Sequence, residues 1–191
     1  MKTANIPGIP NLIVVTGRPG SGKTTLAHTL AQSVRCPLIS RDEFKEGIVN
    51  TIKNSESTST DDLNLYVYNI FFETIEFLLG KSITLVIEAA FQHKLWAPRL
   101  EPLKKVARIR LICCSINSEL AYSRFTQRGL ADPARAQFHD NWVAQTSKEE
   151  FLSRSYQPPE LDVPTLTVDT SNGYQPIFEE IVSFAINRSF R

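Results

Sequence analysis

Residues 17–24 decide the fold and read Gly17-Arg18-Pro19-Gly20-Ser21-Gly22-Lys23-Thr24. They match the pattern G-x-x-x-x-G-K-[ST] and lie between an apolar run, Leu12 to Val15, and a segment with the composition of a helix, Thr24 to Val34. The glycines allow backbone conformations that a β-carbon forbids, so successive N–H groups can point inward at phosphate oxygens. The succession of a strand, this loop and a helix therefore predicts a phosphate-binding site.

The residues at the end of the loop indicate what the phosphates belong to. A helix that begins near Lys23 presents its positive dipole end to an anion. We expect the Lys23 ammonium to reach the β and γ phosphates of a nucleotide and the Thr24 hydroxyl to ligate Mg²⁺. The predicted cofactors are therefore ATP and Mg²⁺.

Length and composition limit the other possibilities. A chain of 191 residues with 42% hydrophobic side chains suits one domain, residues 1–191. The net charge of +1 favours neither nucleic acid nor an anionic membrane, and no apolar run approaches the roughly 18 residues of a membrane span. The three cysteines lack the spacing of a zinc site or disulfide framework. We expect a cytoplasmic protein with a small-molecule partner and no membrane contact; the sequence does not determine the oligomeric state.

Apolar, β-branched runs alternate with helical segments along the chain, which predicts a parallel sheet because parallel strands need crossover connections. The expected architecture is a three-layer αβα fold with a five-stranded parallel sheet and a small helical lid at about 124–140. Ligands of such sheets bind at the carboxyl ends of the strands. The predicted strands are Leu12–Val15, Pro37–Ser40, Ile83–Glu88, Arg108–Ile116 and Leu166–Val168. The predicted helices are Thr24–Val34, Asp42–Ile52, Asp61–Leu79, Leu95–Val106, Ser118–Gly129, Asn141–Ser153 and a last one opened by Pro176, with a loop at 52–60.

Two carboxylates follow predicted strands. Glu88 ends the third strand, where it can hold Mg²⁺ through water, orient an acceptor, or simply be solvated. Asp42 follows the second strand, and the capping-box pattern of Ser40 and Glu43 assigns the capping of that helix to those two residues. Asp42 is therefore the predicted general base that accepts the proton of an acceptor hydroxyl, the alternative being a favourable charge in a helix's first turn.

Basic residues are predicted to cover the phosphates. Arg124 and Arg128 are four apart on one face of the helix that Ser118 is expected to cap, and Arg135 follows in the lid. They can neutralise charge on a transferred phosphoryl group, stack on adenine, or only compensate the helix dipole. Weaker candidates for an acceptor pocket or a buried structural role are His93, Trp96, His139 and Trp142; Asp169 and Asn172 either lie near the adenine or form a turn.

Five segments in this order resemble the small P-loop kinases grouped with polynucleotide kinase, chloramphenicol phosphotransferase and zeta toxin, an AAA-type ATP-binding kinase domain. These segments are Gly17 to Thr25, Ile39-Ser40-Arg41-Asp42-Glu43, Val86-Ile87-Glu88-Ala89-Ala90-Phe91, the Arg124 and Arg128 pair, and Val168-Asp169-Thr170-Ser171. The resemblance implies a P-loop NTPase fold, ATP as donor, Asp42 as the hydroxyl-activating base, and Arg124 and Arg128 as lid residues that stack on adenine and contact phosphate. Glu88 stands where many members carry aspartate.

The leading interpretation is an ATP-dependent kinase that phosphorylates a hydroxyl of a small molecule, with Lys23, Asp42, Arg124 and Arg128 carrying the chemistry. Gly17 to Thr25, Arg124, Arg128 and Asn172 are predicted to contact the nucleotide, and Thr24 and Glu88 the metal, Glu88 through water. Two alternatives stay open: a 5′-hydroxyl nucleic-acid kinase, and a nucleotide-dependent switch or ATPase without an acceptor.

Overall fold

A computed structural model describes residues 8–52, 60–132, 138 and 147–186. Five parallel strands form one sheet in the order β2-β3-β1-β4-β5. The strands are β1 (Asn11–Gly17), β2 (Leu38–Ser40), β3 (Leu85–Ala89), β4 (Arg108–Ser115) and β5 (Thr165–Asp169). Since β1 is the central strand, its carboxyl end and the loop that follows it lie between the carboxyl ends of β3 and β4.

Helices cover both faces of the sheet. They are α1 (Lys23–Val34), α2 (Arg41–Thr51), α3 (Thr60–Gly80), α4 (His93–Leu103), α5 (Ser118–Ala131), α6 (Lys148–Ser153) and α7 (Phe178–Ile186). Residues of α1 and α7 pack on Ile13 and Val15, whereas residues of α3 and α4 pack on Leu12 and Val14. Successive β1 side chains are thus buried on opposite faces, as a strand covered by helices on both sides requires. The predicted three-layer fold is confirmed.

The capping prediction for α2 is wrong. Ser40 is the residue before the helix, but its side chain makes no capping hydrogen bond. Its hydroxyl donates instead to Glu88 Oε2 at 2.7 Å, and Glu43 lies 2.6 Å from the imidazole of His28. The buried carboxylate needs a hydrogen-bond donor and has no access to water, whereas water can accept from the free N–H groups at the partly exposed start of α2.

The start and end of α5 also differ from the prediction. Asn117, not Ser118, caps this helix, since its Oδ1 accepts a hydrogen bond from the Glu119 N–H at 2.8 Å. The helix continues past Gly129 to Ala131. Ser118 is thereby left to accept a hydrogen bond from the guanidinium of Arg18.

Parts of three predicted segments lie outside the described residues. The structure describes 124–132 and 138 of the predicted lid, so Arg135 and His139 are not covered. It describes residues 52 and 60 of the predicted 52–60 loop, and 147–153 of the predicted 141–153 helix, without Trp142. Within the described part of the chain, no helix combines the length and apolar character needed to cross a bilayer.

Candidate active site

The glycine loop joins the carboxyl end of β1 to the amino end of α1. Gly20 and Gly22 adopt left-handed φ values of 78° and 76°. Gly22 precedes α1 and brings no side-chain cap to its first N–H groups. A β-carbon on Gly22 would lie in ordinary contact with Thr170 at 3.8 Å and 3.9 Å from Arg124 Nη1, so the Arg124 guanidinium lies beside the start of α1. An uncapped helix terminus beside a guanidinium suits an anion.

Lys23, Glu88 and Ser40 form a buried polar cluster at the sheet's carboxyl edge. Lys23 Nζ lies 3.7 Å from Glu88 Oε1, and the two side chains are 7% and 2% exposed. Burial is the strongest influence on Glu88 and raises its pKa above the ordinary value, an effect that the Lys23 ammonium and the Ser40 hydroxyl oppose. The cluster brings an ammonium group and a carboxylate together at the head of the loop.

Asp42 lies near this cluster, in the first turn of α2. Its side chain is 41% exposed, and its Oδ1 lies 3.1 Å from Arg41 Nη1. The Asp42 charge contributes to the raised pKa of Glu88, which places the two carboxyl groups within electrostatic range of one another. Arg41 is in turn bonded to Asn64 at 2.7 Å. The carboxylate is thus accessible and close to the cluster.

Arg124 ties α5 to the loop after β5. Its guanidinium donates to the carbonyl oxygens of Thr170 and Ser171, both at 2.9 Å. The Thr170 hydroxyl donates to the carbonyl of Ser21 at 2.7 Å and so joins the same loop to the glycine loop. Arg124 is therefore held beside the glycine loop, whereas Arg128, one helical turn further, is exposed.

The remaining residues predicted to contact the nucleotide or the metal differ in exposure and in their partners. Asn172 is exposed in a turn in which the Ser171 N–H donates to Asp169 Oδ1 at 2.7 Å, and this bond lowers the pKa of Asp169. Thr24 is half-buried and Thr25 exposed on α1. The Arg18 side chain extends from the glycine loop to α5 and α6, where it donates to the Ser118 hydroxyl and the Phe151 carbonyl.

The sequence analysis did not identify the Thr16 hydroxyl, which has three hydrogen-bond partners next to the glycine loop. Thr16 Oγ1, at the end of β1, donates to the carbonyl of Ala89 at 2.8 Å and accepts a hydrogen bond from the indole N–H of Trp96 at 3.1 Å. Tyr156 is its third partner. Trp96 is fully buried, in agreement with the structural alternative for that residue. No motif marks Thr16 or Tyr156, so the sequence offered no signal for this contact.

The residues present fit a magnesium nucleotide. The buried Ser21 hydroxyl has no hydrogen-bond partner among the described residues and lies within the glycine loop. Oxygen donors that suit Mg²⁺ are available in the Thr24 hydroxyl and the Glu88 carboxylate. In the described ranges, no cluster of three or more His, Cys, Asp or Glu side chains is placed to hold a metal ion. This donor set matches Mg²⁺, which commonly binds through few protein carboxylates together with phosphate oxygens and water.

A parallel sheet of this strand order, with a glycine loop after its central strand and a buried Lys23 beside Glu88, defines a P-loop kinase-like domain. The model of a family described as "AAA domain" matches residues 12–150, and the chain belongs to this family. No curated protein matches the chain.

Solved structures agree with this assignment. A candidate kinase from Chloroflexus aurantiacus j-10-fl is 28% identical, with a TM-score of 0.79, over 96% of this chain and 100% of that one. APS kinase CysC of Mycobacterium tuberculosis, in complex with AMPPNP and APS, is 16% identical with a TM-score of 0.62 over 95% and 98% of the two chains. A gluconokinase from Sinorhizobium meliloti 1021 is 16% identical with a TM-score of 0.56 over 95% and 94%. The last two show the shared fold.

Proposed function

We propose that the protein is an ATP-dependent kinase that transfers the γ-phosphoryl group of ATP to a hydroxyl group of a small molecule. The observation that carries the proposal is the buried Lys23 ammonium, which lies 3.7 Å from Glu88 where the glycine loop ends. The partly exposed Asp42 carboxylate lies near this ion pair, at the start of α2. A phosphoryl-transfer enzyme needs a cationic phosphate site and a nearby base for the acceptor, and this arrangement supplies both.

The glycine loop and the helix after it would bind the phosphates. The N–H groups at the start of α1 donate to phosphate oxygens, and the Lys23 ammonium moves from Glu88 onto the β and γ phosphates. Thr24 and Glu88 would hold Mg²⁺, Glu88 through water. The ion would supply positive charge that offsets the negative charge of the transferred phosphoryl group. The side chains of the chain itself then position the donor rather than react with it.

Asp42 would serve as the general base. In a loose transition state the acceptor hydroxyl loses its proton late, so a weakly basic carboxylate in hydrogen-bond range is sufficient. The Asp42 carboxylate accepts this proton while the hydroxyl oxygen forms its bond to the γ phosphorus, and the bond from phosphorus to the β–γ bridging oxygen breaks. Its partial exposure gives an acceptor access to the carboxylate.

Arg124 and Arg128 would complete the donor site from α5. Arg124 is fixed by two carbonyls of the loop after β5, which leaves its guanidinium plane beside the glycine loop. There it either stacks on adenine or neutralises charge on the phosphates. Arg128 is exposed one turn further along and would close over the nucleotide with the lid.

The class of acceptor is supported by charge and by fold. The near-zero net charge supplies little attraction for a nucleic-acid backbone. Similar solved structures include a sugar kinase from Janibacter sp. HTCC2649, at 17% identity and TM-score 0.58, and a shikimate kinase from Acinetobacter baumannii with shikimate, at 16% and 0.54. These favour a small hydroxylated molecule as acceptor.

The test is transfer of label from γ-labelled ATP to a panel of sugars, hydroxy acids, nucleosides, antibiotics and oligonucleotide ends. For an acceptor that gains label, Asp42→Asn should lower the transfer rate by about 10²- to 10⁴-fold, the contribution of a general base, with ATP affinity retained. Asp61→Asn, an exposed aspartate in the first turn of α3, is the matched control and should transfer normally.

Each outcome has a defined meaning. Wild-type rates in Asp42→Asn would remove this residue from the mechanism. Unchanged nucleotide affinity in a folded Lys23→Ala variant would refute the phosphate site itself. Label on oligonucleotide ends alone, with affinity that falls steeply with salt, would assign a nucleic-acid acceptor instead.

A further inference from the structure

The stretch Lys148–Glu160, which we call the strap, comprises α6 and the first part of the segment before β5. It contacts the chain on both sides of Gly17: Arg18 lies against Phe151, and Thr16 against Tyr156. The glycine loop therefore begins between two residues that are both held by the same short stretch.

Arg18 makes the first of these contacts. Its Nη2 donates to the Phe151 carbonyl at 3.1 Å, its Nη1 donates to the Ser118 hydroxyl, and its guanidinium lies 5.0 Å from the centre of the Phe151 ring. The Phe151 ring is buried against α5, where it contacts Phe125 and Tyr122. Hydrogen bonds together with a cation–π contact hold this side chain against α5 and α6.

Tyr156 makes the second contact, and the direction of its hydrogen bond follows from a count of protons. The single hydroxyl proton of Thr16 goes to the Ala89 carbonyl, so Thr16 accepts from both Trp96 and Tyr156. Tyr156 is therefore the donor to Thr16, and the Phe91 carbonyl, 3.4 Å from the Tyr156 hydroxyl, is the more distant of its two acceptors. Burial raises the pKa of Tyr156, so its phenol keeps this proton over the physiological range.

The strap is anchored to the start of α4 independently of the glycine loop. The Gln157 N–H donates to Gln92 Oε1 at 2.7 Å, and the His93 N–H donates to the Gln157 carbonyl at 3.0 Å. The Glu160 N–H donates to His93 Nδ1, also at 3.0 Å. Gln92 and His93 follow β3, the strand that carries Glu88. These three hydrogen bonds hold the strap in place without any contribution from the glycine loop.

We propose that Arg18 and Tyr156 are positioning residues that form a two-point latch between the strap and the glycine loop, and that this latch holds the loop in its nucleotide-binding conformation. The inference rests on the proposed function for the ligand, a magnesium nucleoside triphosphate. A loop held in place before binding does not lose conformational freedom when the nucleotide arrives, so affinity depends on the latch.

The first measurement needs no nucleotide. Hydrogen exchange of the unliganded protein should show faster exchange in residues 17–22 and 148–153 of Arg18→Met, by about fivefold or more, the change that loss of one to two net hydrogen bonds corresponds to. Tyr156→Phe should accelerate exchange at residues 16–22. The amides of β3 and β4 should exchange as in the wild type. Uniform acceleration over the whole sheet would mean general destabilisation and would overturn the latch.

The second measurement is the affinity for a fluorescent ATP analogue with Mg²⁺. Arg18→Met and Tyr156→Phe should each weaken binding by about three- to tenfold, the fold-change of one net hydrogen bond, and kcat of Tyr156→Phe at saturating nucleotide should stay within about twofold. Arg18→Lys, which keeps the charge over the Phe151 ring, should recover part of the affinity. Tyr122→Phe removes a phenol hydroxyl beside the same ring without a bond to the loop and is the matched control.

A double-mutant cycle tests whether Arg18 and Tyr156 act together, as one latch, or contribute independently to nucleotide affinity. If both residues act through the strap, the effects of Arg18→Met and Tyr156→Phe on affinity combine less than additively. Full additivity, or affinities within twofold of wild type for both single variants, would overturn the proposal. Failure of the wild type to bind nucleotide would refute the proposed function and the effect of the latch on affinity, and the exchange experiment would still report separately whether the latch holds the loop.

Discussion

Gly20→Ala tests whether the glycine loop is packed directly against α5. A β-carbon at this position would lie 2.1 Å from the Ala121 carbonyl oxygen, so the two backbones must separate by at least 0.9 Å to reach the 3.0 Å below which real β-carbons essentially never approach another atom. Such overpacking costs about 1–3 kcal/mol. The left-handed φ of 78° adds about 1–2 kcal/mol for a residue with a side chain. We expect Gly20→Ala to lower the free energy of unfolding by about 2–5 kcal/mol.

Gly22→Ala is the matched control, because Gly22 has nearly the same φ, 76°, and its β-carbon would have no neighbour within 3.8 Å. In this variant the free energy of unfolding should fall only by the cost of the left-handed φ, about 1–2 kcal/mol. Urea unfolding followed by tryptophan fluorescence measures both, and the difference of about 1–3 kcal/mol isolates the contact with α5. Equal stabilities within about 0.5 kcal/mol, the usual spread of neutral substitutions, would refute the packing argument.

Two further variants probe the buried polar groups of the site. Because burial raises the pKa of Glu88 above its ordinary 4.5, the folded state binds a proton that the unfolded chain has lost, so the free energy of unfolding falls as the pH rises through the interval between the two pKa values. Glu88→Gln should flatten this part of the pH profile in urea unfolding, and a slope identical to that of the wild type would contradict the shift. Thr16→Val removes the hydroxyl that serves Ala89, Trp96 and Tyr156 and should lower the free energy of unfolding by about 2–4 kcal/mol, whereas Thr16→Ser should retain most of it. A lower melting temperature for Thr16→Ser than for Thr16→Val would contradict a stabilising role for the Thr16 hydroxyl.

The residue pattern alone predicted the fold and the main parts of the candidate site. Short apolar runs such as Leu12 to Val15 suit strands buried on both faces in a parallel sheet covered by helices, and the glycine pattern placed the phosphate loop after the first strand. The positions of Lys23, Asp42 and Glu88 at carboxyl ends of neighbouring strands followed from the same topology. These features depend on local periodicity and on the alternation of strands and helices, both of which can be read from the sequence, whereas the order of the strands in the sheet came from the structure.

The partners of the polar side chains were decided only in the tertiary structure. Ser40 and Glu43 have the spacing of a capping box, yet the Ser40 hydroxyl donates to Glu88, because a carboxylate buried in the folded protein requires a donor, whereas water can accept from the first N–H groups at the partly exposed start of α2. Arg18 belongs to the phosphate-loop motif, yet its guanidinium binds α5 and α6, and Tyr156 reaches Thr16 across 140 residues of sequence. Such choices depend on which groups folding brings together and deprives of water, and sequence spacing does not contain that information.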